Sequence, residues 1–256
     1  ESDVRIASLV TLDRPVAVQG VNREASKLTI TATKLIRISS SHVVFSDMTF
    51  KGASLPDGAK FIDNTLTSTN NYTAWKFYRC LFRDAGLALQ KVNRVSEGAT
   101  QTTGTDFAGG LTVVDCEFYL IRGAYGLEIG GVDGAVVDRC WVHECGIDTS
   151  AGEGIKVLAS SRGVRVINST MEDNERDGID IYDSVGTLIA GCVIRNNAQL
   201  GIDAKWTSTY PDGCRDHRIL NNQVYGNAAG GINGSTAGTL ISGNHVFDNT
   251  THGSRV

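Results

Sequence analysis

The sequence predicts an all-β chain that folds as one right-handed parallel β-helix of about eight coils spanning residues 1–256. Three observations predict it. Val, Ile and Thr fill short runs that end in Gly, Asn or Asp, which is strand grammar. The runs recur with a period of roughly 22 to 36 residues, three strands per period. Residues at equivalent places in successive periods form columns of one chemical kind. Right-handedness follows from the general rule for parallel crossovers.

The repeat is plainest in VVDRCWVHECG (136–146), VRVINSTMEDN (164–174), GTLIAGCVIRNN (186–197), DHRILNNQVYGN (216–227) and GTLISGNHVFDN (238–249). Each leads into a Gly-centred strand or its start: EGIKVL (153–158), RDGIDIY (176–182), QLGIDAK (199–205), GGINGS (230–235) and HGSRV (252–256). FYRCLFRDAGLALQ (77–90) and TVVDCEFYLIRGAYGLEIGG (112–131) fit the same frame, and HVVFSDMTFKG (42–52) reads as an earlier copy. No copy can bury a core alone, so stacking is obligatory.

One column, at a bend, reads Met48, Cys80, Cys116, Cys140, Ser169, Cys192, Asn222, Asn244. Coils stack about 4.8 Å apart, so this is expected to be a buried ladder, with Asn amides bonding along the axis. The sequence has six cysteines but no CxxC pair, which favours a structural ladder over zinc; disulfides between neighbouring coils stay open. A second column, Cys145, Asn174, Asn197, Asn227, Asn249, reads as a turn ladder in which Asn takes the left-handed backbone.

Composition sets the class of partner. The chain carries a net charge of −4, 29 Gly and 3 Pro. No basic surplus points to nucleic acid, and no apolar run of about 18 residues points to a membrane. The chain starts at Glu1 and both ends fall in repeat-like strands, so a longer parent chain, flanking domains or a homo-oligomer is expected to cover them. Insertions leave the frame at 53–74, 91–110, 147–153 and 206–217, as surface loops or as walls of a groove.

In the Gly-centred strands Ile155, Ile179, Ile202 and Ile232 should face inward. The next residues form an outward column: Lys60, Ala88, Glu128, Lys156, Asp180, Asp203, Asn233, Arg255. Two residues on, a second column reads Gln90, Gly130, Leu158, Tyr182, Lys205, Ser235. Glu128, Lys156, Asp180, Tyr182, Asp203 and Lys205 therefore share one face as catalytic candidates. Carboxylates on adjacent coils repel by roughly 3.5 kcal/mol at an effective dielectric near 20, which would raise one carboxyl toward a general acid, although Lys156 and Lys205 offset this. A Tyr beside a Lys can titrate lower and move protons. A glycosidase would use Asp180 and Asp203 as its pair. Trp206 and Tyr210 in a loop, with Asn233 and Arg255, are the candidates for sugar binding. Glu128, Asp180 and Asp203 are also hard oxygen ligands, so calcium is an open option and no dedicated metal set is expected. His143 sits in a different outward column, with Arg83, Tyr119, Glu172, Arg195, Tyr225 and Phe247, and reads as a surface residue.

Over 123–205, GAYGLEIGG (123–131), NERDGIDIYDS (174–184) and NNAQLGIDAKW (196–206) make the chain similar to the β-helix family of mannuronan C5-epimerases and pectate-lyase-like proteins. The first stretch resembles the epimerase signature Tyr-Gly-apolar-Asp-Pro-His. The resemblance implies that Tyr125 matches the catalytic Tyr and Glu128 the Asp; Gly130 stands where that family has its catalytic His. It implies an extracellular or cell- or virion-surface enzyme acting on an anionic, uronate-type polysaccharide by lyase or epimerase chemistry. A tailspike-like hydrolase using the paired Asp and a non-catalytic glycan-binding solenoid are the other readings.

Overall fold

The computed structural model describes residues 2–6, 8, 10–30, 34–52, 60–63, 73–84, 87–92, 108–148, 152–158, 161–205, 214–251 and 253–255. Among these residues there is no helix, and every strand pairing is parallel. Three sheets of ten, ten and nine strands run the length of the solenoid. Sheet I contains Glu117–Ile121, Trp141–Cys145, Thr170–Glu172, Val193–Arg195, Gln223–Tyr225 and His245–Phe247. Sheet II contains the Gly-centred strands Leu127–Gly130, Ile155–Leu158, Ile179–Tyr182, Leu200–Lys205 and Gly230–Gly234. Sheet III contains Val136–Asp138, Arg165–Ile167, Leu188–Ala190 and Arg218–Leu220. The ten-strand sheets exceed the eight coils expected. The additional strands lie before residue 42, as in Ser2–Ile6 and Val16–Gln19, where the sheet II strands Val10–Leu12 and Lys34–Ile38 lack the central Gly that reveals later copies.

Alternation of side chains fills the interior. Ile155, Ile179, Ile202 and Ile232 are fully buried, and Phe50, Phe82 and Phe118 stack through three coils at 4.7 and 4.9 Å between ring centroids. The bend between sheets III and I carries the predicted ladder: Met48, Cys80, Cys116, Cys140, Ser169, Cys192 and Asn222 are all buried. The six cysteines are free thiols. Burial holds Cys116 and Cys145 well above the usual thiol range, so these sulfurs act as small apolar fillers.

The second column works differently from its expectation. Asn174 and Asn197 are buried, and the left-handed residue is the one before each of them, Asp173 (φ 55°) and Asn196 (φ 56°). With the kink placed there, the Asn side chain turns inward. Asn174 Nδ2 donates to Asn197 Oδ1 (2.8 Å), Asn197 Nδ2 to Asn227 Oδ1 (2.9 Å) and Asn227 Nδ2 to Asn249 Oδ1 (2.9 Å). Each Oδ1 also accepts the backbone N–H of the coil before it, as in Asn197 N–H to Asn227 Oδ1 (3.1 Å). The ladder therefore satisfies the buried polar groups of the turn from sheet I to sheet II.

That turn ends in a column of glycines. At Gly178 a β-carbon would lie 2.6 Å from Ile194 Cγ2, 2.8 Å from the Gly201 carbonyl and 2.9 Å from Asn197 Nδ2. The backbone here approaches the next coil too closely for any side chain, which presses the start of each sheet II strand against its neighbour.

Candidate functional site

The register of sheet II sets which outward residues meet. Glu128 pairs with Lys156, Lys156 with Asp180, Asp180 with Asp203, Asp203 with Asn233, and Asn233 with Arg255. Tyr182 pairs with Lys205. Before Glu128 the predicted register fails: Gln90, two residues after Ala88, pairs with Glu128, and Lys60 pairs with Leu87, one residue before Ala88. The long insertion at 91–110 hides the frame there. Trp206 and Tyr210 lie outside the described residues, and for Arg255 only the backbone pairing is described.

At the centre is a charged cluster. Lys156 Nζ contacts Asp180 Oδ2 and lies 3.3 Å from Glu153 Oε1. Lys205 Nζ lies 2.8 Å from Asp203 Oδ2 and 3.0 Å from Asp180 Oδ1. Arg176 Nη1 reaches Glu153 Oε1 at 3.1 Å, and Asn233 Nδ2 donates to Asp203 Oδ1 at 2.7 Å. The expected repulsion between Asp180 and Asp203 is thus met by an ammonium group between them. Tyr125 and Tyr182 flank Lys156, whose Nζ stands 5.2 Å and 5.8 Å from their ring centroids.

Burial and charge decide the protonation of these groups. Burial alone would lower Lys156, but Asp180 and Glu153 outweigh it and hold the ammonium above its ordinary value. The same opposition, with Asp180 and Asp203 as partners, holds Lys205 well above its ordinary value. Both lysines are cations, not bases. Tyr125 also departs from expectation: burial raises it and Lys156 offsets only part of that, so it remains a phenol.

The carboxyl that keeps a proton is one the sequence reading missed. Asp177 is 1% exposed and accepts a hydrogen bond from Leu200 N–H (2.8 Å). Burial pushes it up to about 7, with Asp203 and Asp180 adding to the shift. Glu153, at the end of the expected insertion 147–153, is fully buried. Both precede the glycine of their strand, in EGIKVL and RDGIDIY, so a column taken one residue before the glycine would have found them. Oxygens of Glu153, Asp177 and Asp180 come within 4.8 Å of one another. Three cations already contact this cluster, and a calcium ion, which takes six to eight oxygens, would have to displace Lys156 and Lys205. Those residues do not fit the calcium option.

His143 also departs from expectation. It is only 7% exposed, because Trp141 lies flat on it at 3.9 Å and Tyr119 stacks at 4.7 Å.

A model of the right-handed β-helix region matches residues 27–256. The chain belongs to this right-handed β-helix family. Among solved structures, this β-helix is similar to the A-module of mannuronan C-5 epimerase AlgE4 from Azotobacter vinelandii, with TM-score 0.59 and 13% identity over 99% of this chain and 87% of that one. It also matches the AlgE6 A-module of the same organism, with TM-score 0.46 and 15% identity over 99% and 85% of the two chains. A tailspike protein of Acinetobacter phage vB_ApiP_P1 matches with TM-score 0.45 and 14% identity over 99% and 53%. A search of curated proteins gives no match. At 13% identity the likeness to the AlgE4 module shows the fold alone.

Proposed function

We propose that this β-helix acts on a uronate-type polysaccharide by proton transfer at sugar C5, as an epimerase or lyase. The observation that carries the reading is Lys156 held as a cation between two phenols, with Lys205 beside it on the Asp180 carboxylate. A sugar carboxylate bound by the two ammonium groups would have its negative charge quieted, which acidifies the adjacent C5–H. Tyr182 is assigned to take that proton as its phenolate, an anion that Lys156 and Lys205 are placed to stabilise before the transfer and that becomes the neutral phenol after it. Tyr125, which stays protonated, is assigned to give one. Returned to the opposite face of C5, that proton completes epimerisation. Delivered to the O4 leaving group as the C4–O bond breaks, it completes elimination. Asp203, Asp180 and Glu153 hold the lysines in place, and Glu128 and Asn233 line the same face. The fold shared with the AlgE4 epimerase module is in keeping with this substrate class. So is a position outside the cell or on its surface, where such polymers are found.

A hydrolase using Asp180 and Asp203 is less well supported. Asp180 is fully buried and gripped by both lysines, so it has no path to a glycosidic oxygen. The test is incubation with polymannuronate, polyguluronate, polygalacturonate and neutral glycans. Unsaturated ends or inverted C5 centres on a uronate polymer alone are the expected result. New reducing ends without unsaturation, or turnover of a neutral glycan, would overturn the reading.

A further inference from the structure

The outer face of sheet I carries a second set of side chains that the proposed chemistry does not use. Trp141 is 43% exposed, yet its ring is fixed on both counts that matter: it stacks on His143 at an interplanar angle of 15°, and its Nε1 donates to Glu172 Oε1 at 2.7 Å. Its cross-strand neighbours are Glu117 and Thr170, so no ring of an adjacent coil occupies those positions. Farther along the same face Tyr225 and Phe247 stack at 4.8 Å. Arg195 joins the two aromatic groups, bonding Glu172 Oε2 on one side and the Tyr225 hydroxyl (3.1 Å) on the other.

The outward column of sheet I carries Lys51, Arg83 and Arg195 against the single carboxylate Glu172, with exposed Glu24 and Glu144 beside Arg23 and His143 at its border. Glu117 is contacted by Arg23 (3.3 Å) and His143 (3.3 Å), and Glu172 by Arg195 and Trp141, and the two carboxylate side chains are 17% and 7% exposed. Arg23 and Arg195 are each 41% exposed. On a chain with net charge −4 this column is a local reversal of sign. A rigid indole whose ordering is already complete on the free protein, flanked by arginines, suits a polymer of flat-faced rings bearing carboxylates. Nucleic acid is less suited: exposed cations are few for a phosphate backbone, and most of the other rings here are stacked on one another rather than open to a base.

We infer that sheet I is a second, non-catalytic binding strip for an anionic glycan, with Trp141 as its anchor and Arg195 as its carboxylate contact. The identity of the glycan as a uronate polymer rests on the function proposed above; the existence of the strip does not. It would hold the polymer on the face next to the site and raise its local concentration there.

The test is affinity electrophoresis in gels containing sodium alginate, polygalacturonate or neutral dextran, with turnover of short uronate oligomers measured separately. Trp141→Ala is expected to weaken retention by acidic polymer roughly tenfold or more while short-oligomer turnover is unchanged. Trp141→Phe keeps a flat ring and is expected to retain most of the binding. Tyr182→Phe should lose turnover but keep retention. Retention of Trp141→Ala equal to the parent protein, or equal loss in Trp141→Phe and Trp141→Ala, would overturn the inference. So would tighter binding of single-stranded DNA than of acidic glycan, or a dimer seen by light scattering that Trp141→Ala dissolves. If no polymer is turned over but retention still depends on Trp141, the strip stands and the proposed chemistry falls.

Discussion

Replacing Asp177 by Asn gives a pH-dependent change in stability that can be worked out in advance. Burial pushes the native carboxyl up to about 7, against 3.8 for an ordinary aspartate. Its charged form is therefore disfavoured in the fold, and its contribution to stability falls as pH rises from about 4 through 7. The full penalty above both values is about 4 kcal/mol, an upper bound before relaxation. Asn keeps an oxygen for the Leu200 N–H and never ionises. Linkage makes the gain from Asp177→Asn larger at pH 8 than at pH 5 by about 2.5 kcal/mol. His217, fully buried and lowered to about 4 by burial, loses stability as pH falls through the interval from 6.5, but it is common to both proteins and cancels in the difference. The assay is urea unfolding of both proteins at pH 5, 6, 7 and 8, with m-values compared. A variant that is less stable at pH 8, or one whose gain is the same at all four pH values, would refute the assignment of a stored proton to Asp177.

Other consequences follow from the same contacts. Gly178→Ala should destabilise by about 1–3 kcal/mol or more in urea unfolding, since its β-carbon meets the Gly201 carbonyl and Asn197; an unchanged midpoint would contradict the close approach. Asn197→Ala cuts the ladder between Asn174 and Asn227 and leaves buried donors unpaired, with an expected loss of about 2–4 kcal/mol by the same assay. Lys156→Met removes one of the two cations at each of buried Asp180 and Glu153, leaving Lys205 and Arg176, and should cost about 1.5–3 kcal/mol, an effect absent if the lysine were a solvated surface charge. Calcium and EDTA should leave the thermal midpoint unchanged, because the oxygen cluster is already neutralised by Lys156, Lys205 and Arg176; a calcium-dependent rise would contradict that.

The architecture was legible because a solenoid writes each coil in the same terms. The Cys and Asn columns, the inward isoleucines and the run from Glu128 to Arg255 all follow from spacing alone. What spacing could not supply was the depth of each group. Spacing puts Lys156 and Lys205 beside the Asp180–Asp203 pair, but it does not tell that the single ammonium of Lys205 reaches both carboxylates. Glu153 lies at the end of a segment that reads as a loop, and Asp177, two residues before inward-facing Ile179, lies on the buried side of its strand, which the outward columns do not sample. His143 read as exposed because nothing in its own strand pattern tells that the Trp141 ring folds over it. The coils before residue 42 are hard to read because their sheet II strands, Val10–Leu12 and Lys34–Ile38, have no central Gly to set the frame.

The most direct test of C5 chemistry on sheet II is incubation with a uronate polymer in D2O, followed by proton NMR of the H5 signals. The account predicts loss of H5 intensity, through exchange or elimination, with the parent protein, and a decrease in that rate of roughly a hundredfold or more in Tyr182→Phe. Full retention of H5 in every uronate polymer tried, or loss that is as fast in Tyr182→Phe as in the parent, would contradict it.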